Sequence, residues 1–225
     1  EDVEEVYFGA EGIFSSSAGC GTVVDMTTTK PSLAVRIAET ARERGIEALD
    51  APVSGGDIGA RDGTLVVMVG GARETMERMM PVFECLGSRI TFMGGAGAGQ
   101  HTKMCNQILV SGTMISVCES LLYAARVGLD QQAVIDVTGK GAAGSWSINN
   151  LGPRIVKGDF SSGFFVEHFI KDMGIALEEA EAMGLSLPGL ALVKQLYVAV
   201  KAQGHGRSAT QALYLALKTM SEKSR

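Results

Sequence analysis

Over the first ninety or so residues, short apolar runs alternate with stretches of helical periodicity. Gly21-Thr-Val-Val-Asp-Met26 reads as a strand. Thr28 or Thr29 can cap the helix that follows, and Pro31 suits its first turn. That helix is predicted from about Pro31 to Arg44, with Leu33, Ile37 and Ala41 on one stripe, and Gly45 ends it. A strand is expected over 46–51, another over 64–69 between glycines, a helix over 73–83 and a strand over 89–93. Strands alternating with helices point to an α/β layer with a largely parallel sheet. After Gly99 the pattern changes. Residues 100–127 are nearly continuous helix formers, apolar around most of the circumference, so one long helix buried on most sides is predicted, with Gly128 as its C-cap. Only helices are expected beyond it, near 130–139, 144–156, 166–183, 187–202 and 208–222. The last opens with the Ser208/Gln211 spacing of a capping box. The chain thus divides into an α/β part, 1–96, and an all-α part, 97–225, built on the long helix.

Composition narrows the function. At 225 residues the chain suffices for one large domain or two small ones, and 46% apolar with 20% charged residues is an ordinary globular balance. A net charge of -5 with no basic run argues against a nucleic-acid partner. Cys20, Cys85, Cys105 and Cys118 match neither zinc-pair nor CxxC spacing, so reduced thiols and no metal site are expected. No apolar stretch reads as long enough and glycine-free enough to span a membrane, so no membrane partner is expected. The chain opens at Glu1 with neither Met nor a signal peptide. The reduced thiols suit an intracellular soluble protein, and cytoplasm and organelle stay undivided because a targeting sequence would lie ahead of Glu1.

Three stretches carry candidate chemistry. Asp50-Ala-Pro-Val-Ser-Gly-Gly56 follows a strand, where ligands of α/β sheets bind. Ser54 and the backbone N–H groups of Gly55 and Gly56 could hold a carboxylate, although a tight glycine turn is the commoner use of such a stretch. Gly95-Ala-Gly-Ala-Gly99 leads into the long helix but sits at the wrong end of the α/β part for a dinucleotide loop. Lys103 lies one turn into that helix, with Asn106 and Gln107 following at i+3 and i+4. Such a lysine either snorkels to solvent, the commoner case, or sits in a polar pocket where it can exchange protons. In Gly163-Phe-Phe-Val-Glu-His-Phe-Ile-Lys-Asp-Met173, Phe169, Met173 and Leu177 form an apolar helix face, Lys171 and Asp172 fall off it, and Glu167 and Lys171 stand at solvated ion-pair spacing.

The order and spacing of Asp-Ala-Pro-Val-Ser-Gly-Gly, Gly-x-Gly-x-x-x-Lys-x-x-Asn and Phe…Lys-Asp resemble the β-hydroxyacid dehydrogenases of the 3-hydroxyisobutyrate dehydrogenase type. Tartronate semialdehyde reductase and the glyoxylate/succinic semialdehyde reductases belong to the same family. The resemblance covers essentially the whole chain and extends to Glu5-Val-Tyr-Phe-Gly9 and Asp25-Met-Thr-Thr28. It implies a Rossmann-type α/β domain followed by an all-α domain resembling that of 6-phosphogluconate dehydrogenase. It also implies NAD or NADP as cofactor, a small β-hydroxyacid or semialdehyde as substrate, and a homo-oligomer, dimer or tetramer. By the family pattern Lys103 is the catalytic acid/base and Asn106 holds the substrate or orients Lys103. Ser54, Gly55 and Gly56 bind the substrate carboxylate, and Phe164 lines the substrate site. Thr28, Lys171 and Asp172 face the cofactor.

Two departures stand out. The family's usual Asn-Asn after the lysine is Asn106-Gln107 here. The opening strand and Gly-x-Gly-x-x-Gly loop, which would carry the pyrophosphate site and the NAD/NADP selector, are not in these residues, which makes an N-terminally incomplete Rossmann-type domain the expectation. The rival that follows is a catalytically inactive, truncated member serving as a scaffold or binding protein. Retention of Lys103, Ser54 and Asn106 weighs against it.

Overall fold

The structure, a computed structural model, describes residues 2–16, 19–161 and 163–221. Two compact units divide after Cys105, inside one helix.

In the first unit, helix α1 (Asp2–Phe8) precedes strand β1 (Thr22–Asp25), helix α2 (Pro31–Glu43) and strand β2 (Glu47–Asp50). A short strand β3 (Val53–Ser54), helix α3 (Gly56–Asp62) and strand β4 (Leu65–Gly71) follow, then helix α4 (Arg73–Leu86) and strand β5 (Gly87–Gly94). The sheet runs β1-β2-β4-β3, with β5 also paired to β4. Its longer pairings, β1 with β2 and β4 with β5, are parallel, as the strand–helix alternation predicts. The contacts of β4 with β2 and β3 are antiparallel and two residue pairs long. β3 and α3 were not expected. Two strand residues and seven helical ones are too short to show a period.

Two apolar clusters cover the sheet. Leu49, Leu65, Val67, Val69, Met76 and Phe83 make one; Tyr7, Phe14, Val23, Ile37, Ala41 and Ile46 make the other. Helix α2 has the predicted Pro31 in its first turn, but its N-cap is Lys30, whose side chain makes no capping bond. The backbone N–H of Thr29 is instead taken by Gln100 Oε1 at 3.1 Å.

Helix α5 (Ala98–Arg126) carries the chain from the first unit into the second, and Gly128 follows it with φ 77°. Contrary to expectation, α5 is long and apolar enough to cross a membrane, since Gly112 does not interrupt it. Its buried Lys103, Gln107 and Ser111 mark it instead as a core helix with polar work to do. Nor is it buried on most sides: Leu109 is 69% and Tyr123 70% exposed. Apolar character all round a helix does not say which sides the same chain covers.

The second unit is helical, as predicted: α6 (Gln131–Thr138), α7 (Trp146–Asn150), α8 (Gly152–Val156), α9 (Val166–Ala182), α10 (Pro188–Val200) and α11 (Leu213–Ser221). The single helix expected over 144–156 is two, meeting at Leu151 just ahead of Gly152-Pro153, because proline lacks the N–H a continuing helix needs. The Ser208/Gln211 capping box does not form. Ser208 Oγ faces His205, the Gln211 amide donates to Asp159 O, and α11 follows a 3-10 turn at Thr210–Ala212; the expected end at residue 222 lies outside the described residues. Phe169 of α9 packs edge-on against Tyr197 of α10, ring centres 5.1 Å apart, and the Tyr197 hydroxyl donates to Thr210 O.

Candidate active site

In the first unit the carboxyl ends of β1 and β2 place Asp25 and Asp50 side by side in register, both buried. Asp25 Oδ1 accepts the Thr27 N–H at 2.9 Å, which turns the chain into the Thr27–Thr29 loop; its Oδ2 meets no donor among the described residues. Asp50 caps α5 from fifty residues away. Its Oδ1 accepts the Gly97 N–H and its Oδ2 the Gln100 N–H, each at 2.8 Å. Burial pushes the Asp50 carboxyl above its usual range, the two backbone donors pull it back, and the charge of Asp25 adds to the rise. A helix N-terminus is a positive pole with free N–H groups, so an internal carboxylate suits it.

That cap settles the glycine-rich turn. Gly97 has φ +85°, a region few other residues adopt. A Cβ on Gly99 would stand 2.4 Å from Met68 O and 2.6 Å from Asp50 O. The glycines therefore seat the helix on the strand ends, and the N-terminus that a pyrophosphate would need is already occupied by Asp50.

Lys103 follows one turn later. It is 8% exposed, and its Nζ donates to Val53 O at 2.8 Å, so of the two sequence readings the polar pocket is the one realised. Val53 precedes Ser54, which is half-buried at the end of β3. Gly55 (φ 133°) and Gly56 (φ 64°) then turn, exposed, into α3. The Ser-Gly-Gly stretch is thus the tight turn its sequence favours, and it also stands beside the ammonium group. Thr28, partly exposed, tops the loop between Thr27 and Thr29.

In the second unit the polar side chains form a line. Asn106 Nδ2 donates to Gln107 Oε1 at 2.8 Å, and Gln107 Nε2 donates to Asp172 Oδ2 at 2.6 Å. Lys171 Nζ stands 3.1 Å from Asp172 Oδ1, an ion pair not aligned as a hydrogen bond. Asp172 was expected off the apolar face of α9, yet it is 1% exposed. The hydrogen bond from Gln107 lets a carboxylate sit there. Lys171 pairs with Asp172 rather than with Glu167, whose partner is Arg207 at 3.7 Å. Phe164 stays out of this line and rests on the Phe169 ring, centres 5.4 Å apart. In the sequence Gln100 has no assigned role, and Gln107 is marked only by its spacing from Lys103 and as a departure from the family's second Asn. A buried helix start whose own N-cap position lacks Ser, Thr, Asp or Asn leaves N–H groups for a distant carboxylate to accept, which is the signal that could have pointed to Asp50.

The residues present fit a nicotinamide cofactor in part. Within the first unit, the Thr28 loop stands at the carboxyl end of a parallel strand, where dinucleotides lie in such sheets. Among the described residues no three His, Cys, Asp or Glu side chains gather as a metal site.

Comparison with known proteins bears on the same residues. The NAD-binding family model of NADP-dependent 3-hydroxyisobutyrate dehydrogenase matches residues 97–217, and the NAD-binding domain of 6-phosphogluconate dehydrogenase matches residues 1–95. An uncharacterized oxidoreductase of Bacillus subtilis is 56% identical over 95% of this chain and 74% of its own length. A probable mitochondrial 3-hydroxyisobutyrate dehydrogenase-like protein of Arabidopsis thaliana is 47% identical over 95% of this chain and 64% of its own. The crystal structure of a 3-hydroxyisobutyrate dehydrogenase from Salmonella typhimurium superposes with TM-score 0.85 at 27% identity, over 95% of this chain and 75% of that one.

Proposed function

We propose, since this chain belongs to the NAD(P)-dependent 3-hydroxyisobutyrate dehydrogenase family, that it interconverts a small β-hydroxyacid and its semialdehyde with Lys103 as acid/base. The observation that carries this reading is the Lys103 ammonium, held at 2.8 Å by Val53 O immediately before Ser54-Gly55-Gly56. The group assigned as acid/base thus bonds the residue just before the turn assigned to the substrate carboxylate, which supports a hydroxyacid as substrate.

Bound NAD or NADP supplies the hydride acceptor in oxidation and the hydride donor in reduction. In oxidation, the neutral Lys103 amine takes the hydroxyl proton as the carbinol C–H pair leaves and the C–O bond becomes a carbonyl. In reduction, the Lys103 ammonium gives a proton to the carbonyl oxygen, where negative charge develops. The bond to Val53 O uses one Nζ hydrogen and fixes the direction of the rest. Ser54 Oγ and the Gly55 and Gly56 N–H groups hold the substrate carboxylate. Asn106, one turn after Lys103, holds the hydroxyl or orients the amine, and Phe164 lines the substrate site. Thr28, Lys171 and Asp172 serve the cofactor, with Asp172 bracing Lys171. The exposed Leu109 and Tyr123 of α5 support a homo-oligomer formed through the helical part; a clean monomer in gel filtration refutes that arm.

Nicotinamide absorbance tests the whole. The protein is assayed against 3-hydroxyisobutyrate, tartronate semialdehyde, glyoxylate and succinic semialdehyde, with Lys103→Ala and Lys103→Arg beside it. Lys103→Ala is expected to lower kcat by about a hundred- to ten-thousand-fold. Lys103→Arg does not restore it, because a guanidinium does not give up its proton. Undiminished turnover in Lys103→Ala refutes the assignment.

A further inference from the structure

We propose that Gln100 is a positioning residue which, with Asp50, locks the Thr27–Thr29 loop and the first turn of α5 into one unit. The register between the cofactor loop and Lys103 is then set before any ligand arrives. The proposal rests on the function assigned above to Thr28 and Lys103.

Gln100 is 0% exposed, and both ends of its amide are spent on one loop. Oε1 accepts the Thr29 N–H at 3.1 Å and Nε2 donates to Thr27 O at 2.8 Å. The side chain thus pairs with that loop as a strand would, bracketing Thr28. Its own backbone N–H is held by Asp50 Oδ2 at 2.8 Å. Gln100 therefore ties β1's loop to the helix, and Asp50 ties the helix to β2. Lys103 lies three residues further along the same helix, reaching Val53 O just beyond β2.

No slack remains around these bonds. A Cβ on Gly70 would stand 2.5 Å from Asp50 Oδ1 and 2.7 Å from Gly99 N. The Asp50 carboxylate is wedged between β4 and the helix start, so the first turn of α5 cannot slide while the network holds. A buried amide is costly unless both ends are satisfied, and here each end pairs with a backbone group of the loop that an apolar side chain of the same length would leave unpaired. What the amide adds is direction, since it fixes where Thr28 stands relative to Lys103. Displacement of a catalytic group by about 1 Å costs on the order of 100-fold in rate.

The test is Gln100→Met, which keeps length and removes both bonds, with Gln100→Glu beside it. Glutamate at this position retains an acceptor for the Thr29 N–H and sets a second oxygen against Thr27 O. Folding is checked by circular dichroism. The first readout needs neither cofactor nor turnover: competitive acylation of lysines, with Lys103 quantified by mass spectrometry against the remaining lysines. The second is steady-state kinetics with NAD and NADP. Lys103 acylation is expected to rise several-fold in Gln100→Met, kcat to fall about 100-fold, and KM for the cofactor to rise. Gln100→Glu shifts all three in the same direction if Gln100→Met does not fold. A folded variant of either kind with wild-type Lys103 acylation overturns the proposal, whatever its turnover. If the wild-type protein turns over no substrate, the functional reading fails, and the acylation readout still decides whether Gln100 holds Lys103.

Discussion

Replacing Gly99 with alanine puts the seating of α5 under direct strain. The added methyl would meet Met68 O at 2.4 Å, Asp50 O at 2.6 Å and Asp50 Oδ2 at 2.8 Å. Carbon and oxygen without a hydrogen bond settle near 3.3 Å or more, so the helix start has to lift by roughly 1 Å. Two of the three obstacles are backbone carbonyls of β2 and β4 and do not swing away. The lift stretches the bonds from Gly97 and Gln100 to Asp50, each 2.8 Å long. Bonds to a charged group are worth about 1.5–3 kcal/mol apiece. Alanine in a helix returns up to about 1 kcal/mol of backbone entropy, so a net loss of about 2–5 kcal/mol is expected if both bonds are lost. Gly112 on the same helix is the control, since a Cβ there meets nothing within 4 Å. Gly112→Ala is expected to stabilise by about 0.5–1 kcal/mol. Urea denaturation of both variants reads the two energies, and kcat reports whether Lys103 has moved. Equal stability for Gly99→Ala and Gly112→Ala would refute the claim that Gly99 is there for close approach.

Other outcomes follow from the same bonds. Gln107→Leu removes the donor that Asp172 Oδ2 receives at 2.6 Å and leaves a buried carboxylate short of a partner; a loss of about 1–3 kcal/mol in denaturant unfolding is expected, and no change refutes the role. Asp159 is held well below the usual carboxylate range by Arg154 first and then by Ser161. A lowered carboxyl stabilises the folded state above its unfolded pKa, and that contribution is lost as pH falls through the folded value. Arg154→Ala should therefore lower stability near neutrality and flatten its decline in acid; parallel pH–stability curves for variant and wild type would refute this. Ser54→Ala is expected to raise KM for the hydroxyacid more than it lowers kcat, and an unchanged KM refutes carboxylate binding at Ser54.

The layered plan of the molecule was legible in the chain because it is written in local periods. Alternating strand and helix patterns up to Met93, and helix formers after Gly99, foretold a sheet unit followed by helices. The motif order also carried the family. Misreadings fell where a residue's partner is distant. Thr28 and Thr29 are good caps by type, yet the N-cap of α2 is Lys30, and the loop before it is held instead by Gln100, which accepts the Thr29 N–H. Asp172 has the polarity of a surface residue, but Gln107, sixty-five positions away, makes its burial tolerable.

By itself, then, the sequence determined the longer strands and helices, the change from an alternating α/β pattern to helices alone, and which side chains are candidates for chemistry. These follow from propensity, period and spacing, which act over a few residues. Only the tertiary structure decided between a snorkelling Lys103 and one held by Val53 O, and only it showed that the Gly95–Gly99 turn, already misplaced in the chain for a dinucleotide loop, is a helix seat capped by Asp50. Those alternatives have the same local sequence. They differ in which carbonyl or carboxylate the fold brings within 3 Å, and a one-dimensional pattern carries no record of that distance.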